Sequence, residues 1–289
     1  MLVNLNEVLI SAKRNKYGVG LFNAVNMELA RGIIEAAEEL MSPVIFGTAE
    51  VLLPYCPLEE LSYLLVPMAK KATVPVVIHY DHGLSYEKCI EALELGFTSI
   101  MYDCSTDSYE ENVRKVKELT YIAHQMGATV EGELGHVGDN EGSLEGNTHL
   151  EDPSLFYTDP EQALDYVLQT QIDALAIAVG SAHGAYKLPP KLDFDRIAKI
   201  ANTVEVPLVL HGGSGLSNLD FQKAIECGIS KINIFTDINI AGFNGIEYAK
   251  AQGKNCLTDM IPYEINAIRE VVKEKMSLFQ SVNRTKSYL

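Results

Sequence analysis

Imidazoles and carboxylates recur in this chain at the ends of short β-branched runs, a distribution that would gather them at one rim of a parallel sheet. VVIHYDHG carries His79, Asp81 and His82, MYD ends at Asp103, and VEGELG holds Glu131 and Glu133. VGSAHG follows with His183, VLHGGSG with His211, and NIFTD with Asn233 and Asp237. Zinc takes imidazole readily, and a catalytic zinc commonly keeps three protein ligands with a position left for substrate. His82, His183 and His211 supply three imidazoles from three runs. A lone histidine is more often a hydrogen-bonded core or surface residue, and His124, inside a helical stretch, and His136 and His149, in a loop, read that way. Three at matched positions beside acids read as a metal centre. His79 shares a strand face with Asp81, so it reads as a partner of the ligands as readily as a ligand.

The glycine-rich VLHGGSG suggests a second chemistry. Such a turn after a strand directs successive backbone N–H groups at an anion, and Ser214 adds a hydroxyl. Glycine clusters more often merely turn the chain, but the neighbouring His211 gives this one weight. The formal net charge is −16. A surface that acidic repels nucleic acid and anionic lipid, so neither is expected as a partner, and a phosphorylated ligand needs a local cation. Lys187, four residues after His183 in HGAYK, is the candidate.

These residues need a scaffold that brings distant runs to one rim. Runs at residues 17–22, 43–48, 75–81, 99–103, 128–135, 174–180, 207–212 and 231–237 alternate with helical periodicity, as in NMELARGIIEAAEELM and SYEENVRKVKELTYIAHQMG. Such alternation predicts βα units and a parallel sheet. Eight units predict an α/β fold, a single (β/α)8 TIM barrel over residues 1–289 as one domain, with an extra C-terminal helix in PYEINAIREVVKEKMSLFQSVN. Barrel enzymes place their catalytic groups at the carboxyl ends of the strands, which is where the histidines and acids fall. Residues 136–158, rich in Gly, Asp, Asn and Ser, are long for a βα connection and read as a lid. Five scattered cysteines without a CxxC pair read as reduced thiols. The start MLVNLNEVLISAKRNK lacks the segments of a signal peptide, and no apolar run approaches a membrane span, so the expected location is cytoplasmic.

HYDHG, VEGELGHVGDNEG, VGSAHGAYK, LHGGSG and NIFTD, in this order over most of the chain, resemble the motif series of class II, metal-dependent ketose-bisphosphate aldolases. GLFNAVNMELARGIIEAAEELMSPVI resembles the first βα unit of the same family. The resemblance implies reversible aldol cleavage of a phosphorylated ketose to dihydroxyacetone phosphate and an aldehyde through a zinc-stabilised enediolate. It implies that His82, His183 and His211 hold the catalytic zinc, with Asp81 as acid/base at the acceptor carbonyl. Asp103 and Glu133 match carboxylates for a second or resting metal position, with room for a second divalent ion or a monovalent cation. Glu141 matches the loop acid that moves the donor's proton. Gly184, Gly212, Gly213 and Ser214, with Asn233, Ile234, Phe235 and Thr236, match the positions that bind the donor and its phosphate. A homodimer or homotetramer is expected.

The chain also departs from the family pattern. Where members usually read NIDTDLR, it reads NIFTDIN, with Phe235 in place of an Asp and Asn239 in place of an Arg. Strand alternation would set Asn233, Phe235 and Asp237 on one face. No arginine occurs between Arg196 and Arg269, and Lys231, Lys250 or Lys254 would be a poorer phosphate grip. The loop reads GDNEG where members more often read GGEEDG, so Glu141 is matched less closely than the ligands. The donor end of the site is thus expected intact and the distal-phosphate end dismantled, making fructose 1,6-bisphosphate a poor substrate. Two rivals stand against this reading: a zinc hydrolase or epimerase on the same barrel, and an inactive sugar-phosphate-binding protein. A hydrolase needs a metal-bound water rather than a phosphate turn and an enolising acid. A retired binder would be expected to lose a ligand or Asp81, and all are present.

Overall fold

The structure is a computed structural model that describes residues 1–137, 156–182 and 190–287. Strands and helices alternate: α1 (Leu5–Asn15), β1 (Val19–Asn23), α2 (Met27–Glu39), β2 (Val44–Ala49), α3 (Leu58–Lys71), β3 (Val76–Gly83), α4 (Tyr86–Glu94), β4 (Ser99–Tyr102) and α5 (Tyr109–Gln125). The series continues with β5 (Thr129–Leu134), α6 (Pro160–Thr170), β6 (Ala174–Ile177), α7 (Phe194–Thr203), β7 (Leu208–Leu210), α8 (Asn218–Cys227), β8 (Ile229–Ile234), α9 (Thr236–Ala251) and α10 (Leu257–Leu278). The strands are parallel and close in sequence order, β8 pairing with β1, which is the expected (β/α)8 barrel.

Local signals start the helices. Asn26 accepts from the Leu29 N–H at the head of α2, Ser108 from the Glu111 N–H at α5, and a Ser217–Asp220 capping box opens α8. One apolar core lies between the strands and the outer helices. A second fills the lower barrel, where Leu5, Leu9 and Ala12 of α1 meet Val19, Leu21, Ile45, Val77 and Val209.

All eight strands fall within the expected segments to within a few residues, and the eighth differs most. β8 begins at Ile229 and ends at Ile234; Phe235 caps α9, and Thr236 and Asp237 lie in that helix. The expected single strand face for Asn233, Phe235 and Asp237 is therefore corrected. Phe235 has φ −132 and ψ −57, which breaks the pleat, and Asp237 pairs with Lys275 of α10 at 2.6 Å. The C-terminal helix starts five residues earlier than PYEIN and packs on α2 and α9. Helix α1 was not anticipated, although an Asn4–Glu7 capping box marks its start. No helix among the described residues is long and apolar enough to cross a membrane.

Candidate active site

Residues two apart on a strand climb the barrel interior together. On β3 the series runs Val77, His79, Asp81; on β5 Thr129, Glu131, Glu133; on β1 Leu21, Asn23; on β8 Lys231, Asn233, all of them buried. Alternation alone would turn His82 away from Asp81. Its φ of +46 is left-handed, and the β3–β4 register slips between Tyr80 and Gly83, so both residues line one cleft. Strain of this kind, on the order of 1–3 kcal/mol, collects at functional positions.

The cleft has a volume of about 810 Å³ and opens at the carboxyl ends of the strands. His82 lines the cleft, and its Nε2 faces Nδ1 of the fully buried His211 at 2.6 Å. Each ring is backed by a carboxylate through its other nitrogen: His82 Nδ1 lies 2.7 Å from Asp103 Oδ2, and His211 Nε2 lies 2.8 Å from Glu131 Oε1. Asp103 is held in turn by the Ser105 hydroxyl at 2.7 Å. Asp81 accepts from Asn233 Nδ2 at 3.0 Å and from Asn23 Nδ2 at 3.3 Å. The amide oxygens of Asn23 and Asn233 are buried and have no hydrogen-bond partner among the described residues.

Burial works against charge on all of these groups, and the neighbours decide the outcome. Burial alone would lower His82, but Asp81, the Asp103 hydrogen bond and Glu133 push it up to about 10. Burial and then the positive His82 lower His211. Burial would raise Asp81, yet His82, Lys231 and His211 hold it well below the usual carboxylate range. Glu133 rises to about 8, through burial first and Asp103 second. Without a metal, the neighbours thus favour a proton on His82 over His211 and the ionised form of Asp81.

This donor set fits a divalent cation. Asp81, His82 and His211 form one group, and His82, Asp103 and Glu133 another, each with ligand atoms within 4.8 Å of one another. Carboxylate-backed histidines are the usual surroundings of metal ligands, since the carboxylate fixes tautomer and ring orientation. His82 Nε2 and His211 Nδ1, which face each other at 2.6 Å, are the nitrogens that would hold such an ion. His183, Gly184, Lys187 and Glu141 lie outside the described residues, as do His149 and most of the expected lid.

The glycine turn stands against the same cleft. Gly212 has φ +64, and a Cβ there would lie 2.2 Å from the Ala182 carbonyl oxygen, so no larger residue fits. Gly212, Gly213, Ser214 and the stretch Asn233, Ile234, Phe235 and Thr236 all line the cleft, as does Asn239. α9 starts here without a side-chain cap of its own; instead the Ser214 hydroxyl oxygen accepts from the Phe235 and Asp237 N–H groups at 3.3 and 3.4 Å. The Ser214 O–H has no acceptor among the described residues and can donate to an anion.

No Lys or Arg among the described residues lines the cleft. Lys231 is corrected as a phosphate grip: it is fully buried inside the barrel, 2.8 Å from Glu131 Oε2. His79 sits beside that pair, fully buried, with Nδ1 2.7 Å from Ser99 Oγ and Nε2 3.8 Å from Asp81 Oδ1, which places it behind the imidazole pair. Asn23 and the Glu131–Lys231 pair had no assigned role from sequence. Their signal was polarity inside otherwise apolar strands, GLFN and SKINI.

A closed parallel barrel with imidazoles and acids converging at its carboxyl end defines a barrel enzyme. Residues 3–284 match the family model described as fructose-bisphosphate aldolase class-II. The chain belongs to the class II fructose-bisphosphate aldolase family, whose members are zinc-dependent, and it is accordingly a lyase. It is 40% identical over 294 residues to the fructose-bisphosphate aldolase of Staphylococcus aureus strain Mu50, covering 99% of both chains. A fructose-bisphosphate aldolase of Thermus caldophilus is 39% identical over 317 residues, covering 98% of this chain and 100% of the relative. Among solved structures, the YdjI aldolase from Escherichia coli K12 superposes with a TM-score of 0.88 at 36% identity, covering 99% of this chain and 100% of that one.

Proposed function

We propose that this chain is a zinc-dependent aldolase that reversibly cleaves a ketose 1-phosphate to dihydroxyacetone phosphate and an aldehyde. The observation that carries the reading is the carboxylate-backed imidazole pair closing on one point beside Asp81. His82 and His211, with His183, would hold the metal. When bound, zinc supplies Lewis-acid polarisation of the donor carbonyl, which acidifies the adjacent C–H and stabilises the enediolate.

The remaining steps belong to side chains and backbone. The glycine turn, the Ser214 hydroxyl and the N-terminus of α9 bind the donor phosphate, as backbone N–H groups at a 16-residue helix start do, and Lys187 adds charge. In cleavage, the ionised Asp81 accepts the proton of the hydroxyl next to the breaking bond; in condensation it returns that proton to the aldehyde oxygen. Glu141 moves the donor proton. The unpartnered amide oxygens of Asn23 and Asn233 suit substrate hydroxyls. Among the described residues no lysine lines the cleft to form a Schiff base: Lys231 is fully buried, ion-paired and outside it.

The substrate carries a single phosphate. The described cleft has no Lys or Arg, and residues 138–155 and 183–189 contribute Lys187 as their one such residue. At the distal end Phe235 offers no hydrogen bond and Asn239 no charge, so a second phosphate would be desolvated with little return.

We read residues 1–289 as one domain, since every strand among the described residues belongs to one closed barrel and α10 packs back on α2 and α9. A homodimer or homotetramer is supported by the exposed Ile240, Phe243 and Tyr248 on α9, and a cytoplasmic location by five unpaired cysteines. The deciding experiment treats the purified protein with a chelator and then zinc. Lost and restored cleavage supports the reading. Full activity in chelator, or borohydride trapping of substrate on a lysine, overturns it.

A further inference from the structure

Beneath the imidazole pair lies a charged layer to which the aldol steps give no task. Lys231 on β8 and Glu131 on β5 are both fully buried, with Lys231 Nζ 2.8 Å from Glu131 Oε2. The contact is an ion pair whose angles fall outside hydrogen-bond geometry. Glu131 is the one ion-pair partner of Lys231 among the described residues. Lys231 stands in register with Val19 of β1 and Val209 of β7, an apolar belt, and it does not line the cleft. It therefore meets no substrate.

Stability does not explain such a pair. Taking an ammonium and a carboxylate out of water is costly, and an apolar pair of similar volume is often as stable or more so. The geometry gives another reason. The two oxygens of Glu131 face opposite partners: Oε2 meets Lys231, and Oε1 meets His211 Nε2 at 2.8 Å. With Oε2 anchored, the carboxylate cannot rotate away from His211. The imidazole then keeps its hydrogen on Nε2 and turns Nδ1 toward His82.

We propose that Lys231 is a positioning residue of the metal centre: it anchors Glu131, which fixes the ring and tautomer of His211 so that Nδ1 faces the cation. This rests on the reading of His211 as a ligand. The contact by which Lys231 orients His211 runs through Glu131, so, beyond the field it exerts at Asp81, its effect on metal binding disappears when position 131 no longer carries a carboxylate. A role confined to balancing buried charge makes a different forecast, because removing both charges together would then restore everything.

The test uses the full chain and compares wild type with Lys231→Met, Glu131→Gln, the double variant and His211→Ala. Zinc affinity is read by competition with a chromogenic chelator, the His211 tautomer by nitrogen NMR of the metal-free protein, and folding by thermal melting. Lys231→Met is expected to weaken zinc by about 10–100-fold, the usual effect of losing an outer partner of a ligand, and to mix the His211 tautomers. The double variant is expected to melt higher than Lys231→Met yet to bind zinc as weakly as Glu131→Gln. Should Lys231→Met alone fail to fold, the comparison of the double variant with Glu131→Gln carries the test. Zinc affinity in Lys231→Met within about threefold of wild type, or a double variant restored to wild-type affinity, overturns the proposal while leaving the aldolase reading intact. If His211→Ala keeps its zinc, the ligand assignment itself fails and this inference fails with it.

Discussion

The two ends of the barrel interior are built from the same strands and do opposite work. At the lower end Leu21, Ile45 and Val77 sit side by side in register and close, with Val19 and Val209, under Leu5 and Leu9 of α1. Two residues further along those strands the interior becomes polar: Leu21 gives way to Asn23, Val77 to His79 and Asp81, and Val209 to His211. The lower layer is apolar and packed, and it holds the strands in place. The upper layer buries charges held by one another and by neutral donors such as Asn23, Asn233 and Ser105. A fold that sets apolar packing beneath a polar rim can hold acids and imidazoles at fixed distances without asking them to contribute to stability.

Changes at the two ends should therefore have separable effects. The largest is expected for His211→Ala, which should take zinc content and turnover to background while the metal-free protein still melts cooperatively; retained zinc would break the contrast. Asp81→Ala should keep its zinc and lose roughly 10²–10⁴-fold in turnover, the usual worth of a positioned acid/base, measured by steady-state kinetics alongside metal analysis. Leu9→Ala, at a fully buried position of the lower plug, should cost about 2–5 kcal/mol of stability in denaturant melts. Its kcat well below the melting temperature should match wild type, and a large fall in kcat would show that the lower layer also tunes the site. The smallest effect concerns the rim: Phe235→Asp with Asn239→Arg should raise kcat/KM for fructose 1,6-bisphosphate by roughly tenfold, as one charge-assisted contact to phosphate would. Efficient cleavage of the bisphosphate by the unmodified enzyme would instead place a phosphate grip outside this cleft.

Much of this was legible from the chain alone. Short β-branched runs and helical runs set out eight βα units, because burial on both faces of a parallel strand and on one face of each helix leaves that signature in any order of contacts. His82, His211, Asp81, Asp103 and Glu133 could be chosen because barrel strands deliver their carboxyl ends to one rim, so position along a run already states position in space. What the sequence could not supply was the third dimension within that rim. Strand alternation turns His82 away from Asp81, and only the left-handed backbone at His82 with the slipped β3–β4 register brings both to one cleft. Alternation likewise carried β8 through to Asp237, whereas the chain enters α9 at Thr236 and sends Asp237 to Lys275. From sequence Lys231 reads as a poor stand-in for a phosphate-gripping arginine; closure of the barrel between β8 and β1 is what buries it against Glu131, about 100 residues away in sequence. Local pattern determined which elements form and which rim they serve, since those depend on near neighbours and on burial. Which side chain meets which across the barrel depends on closure and register, which are fixed only when all eight strands pack together.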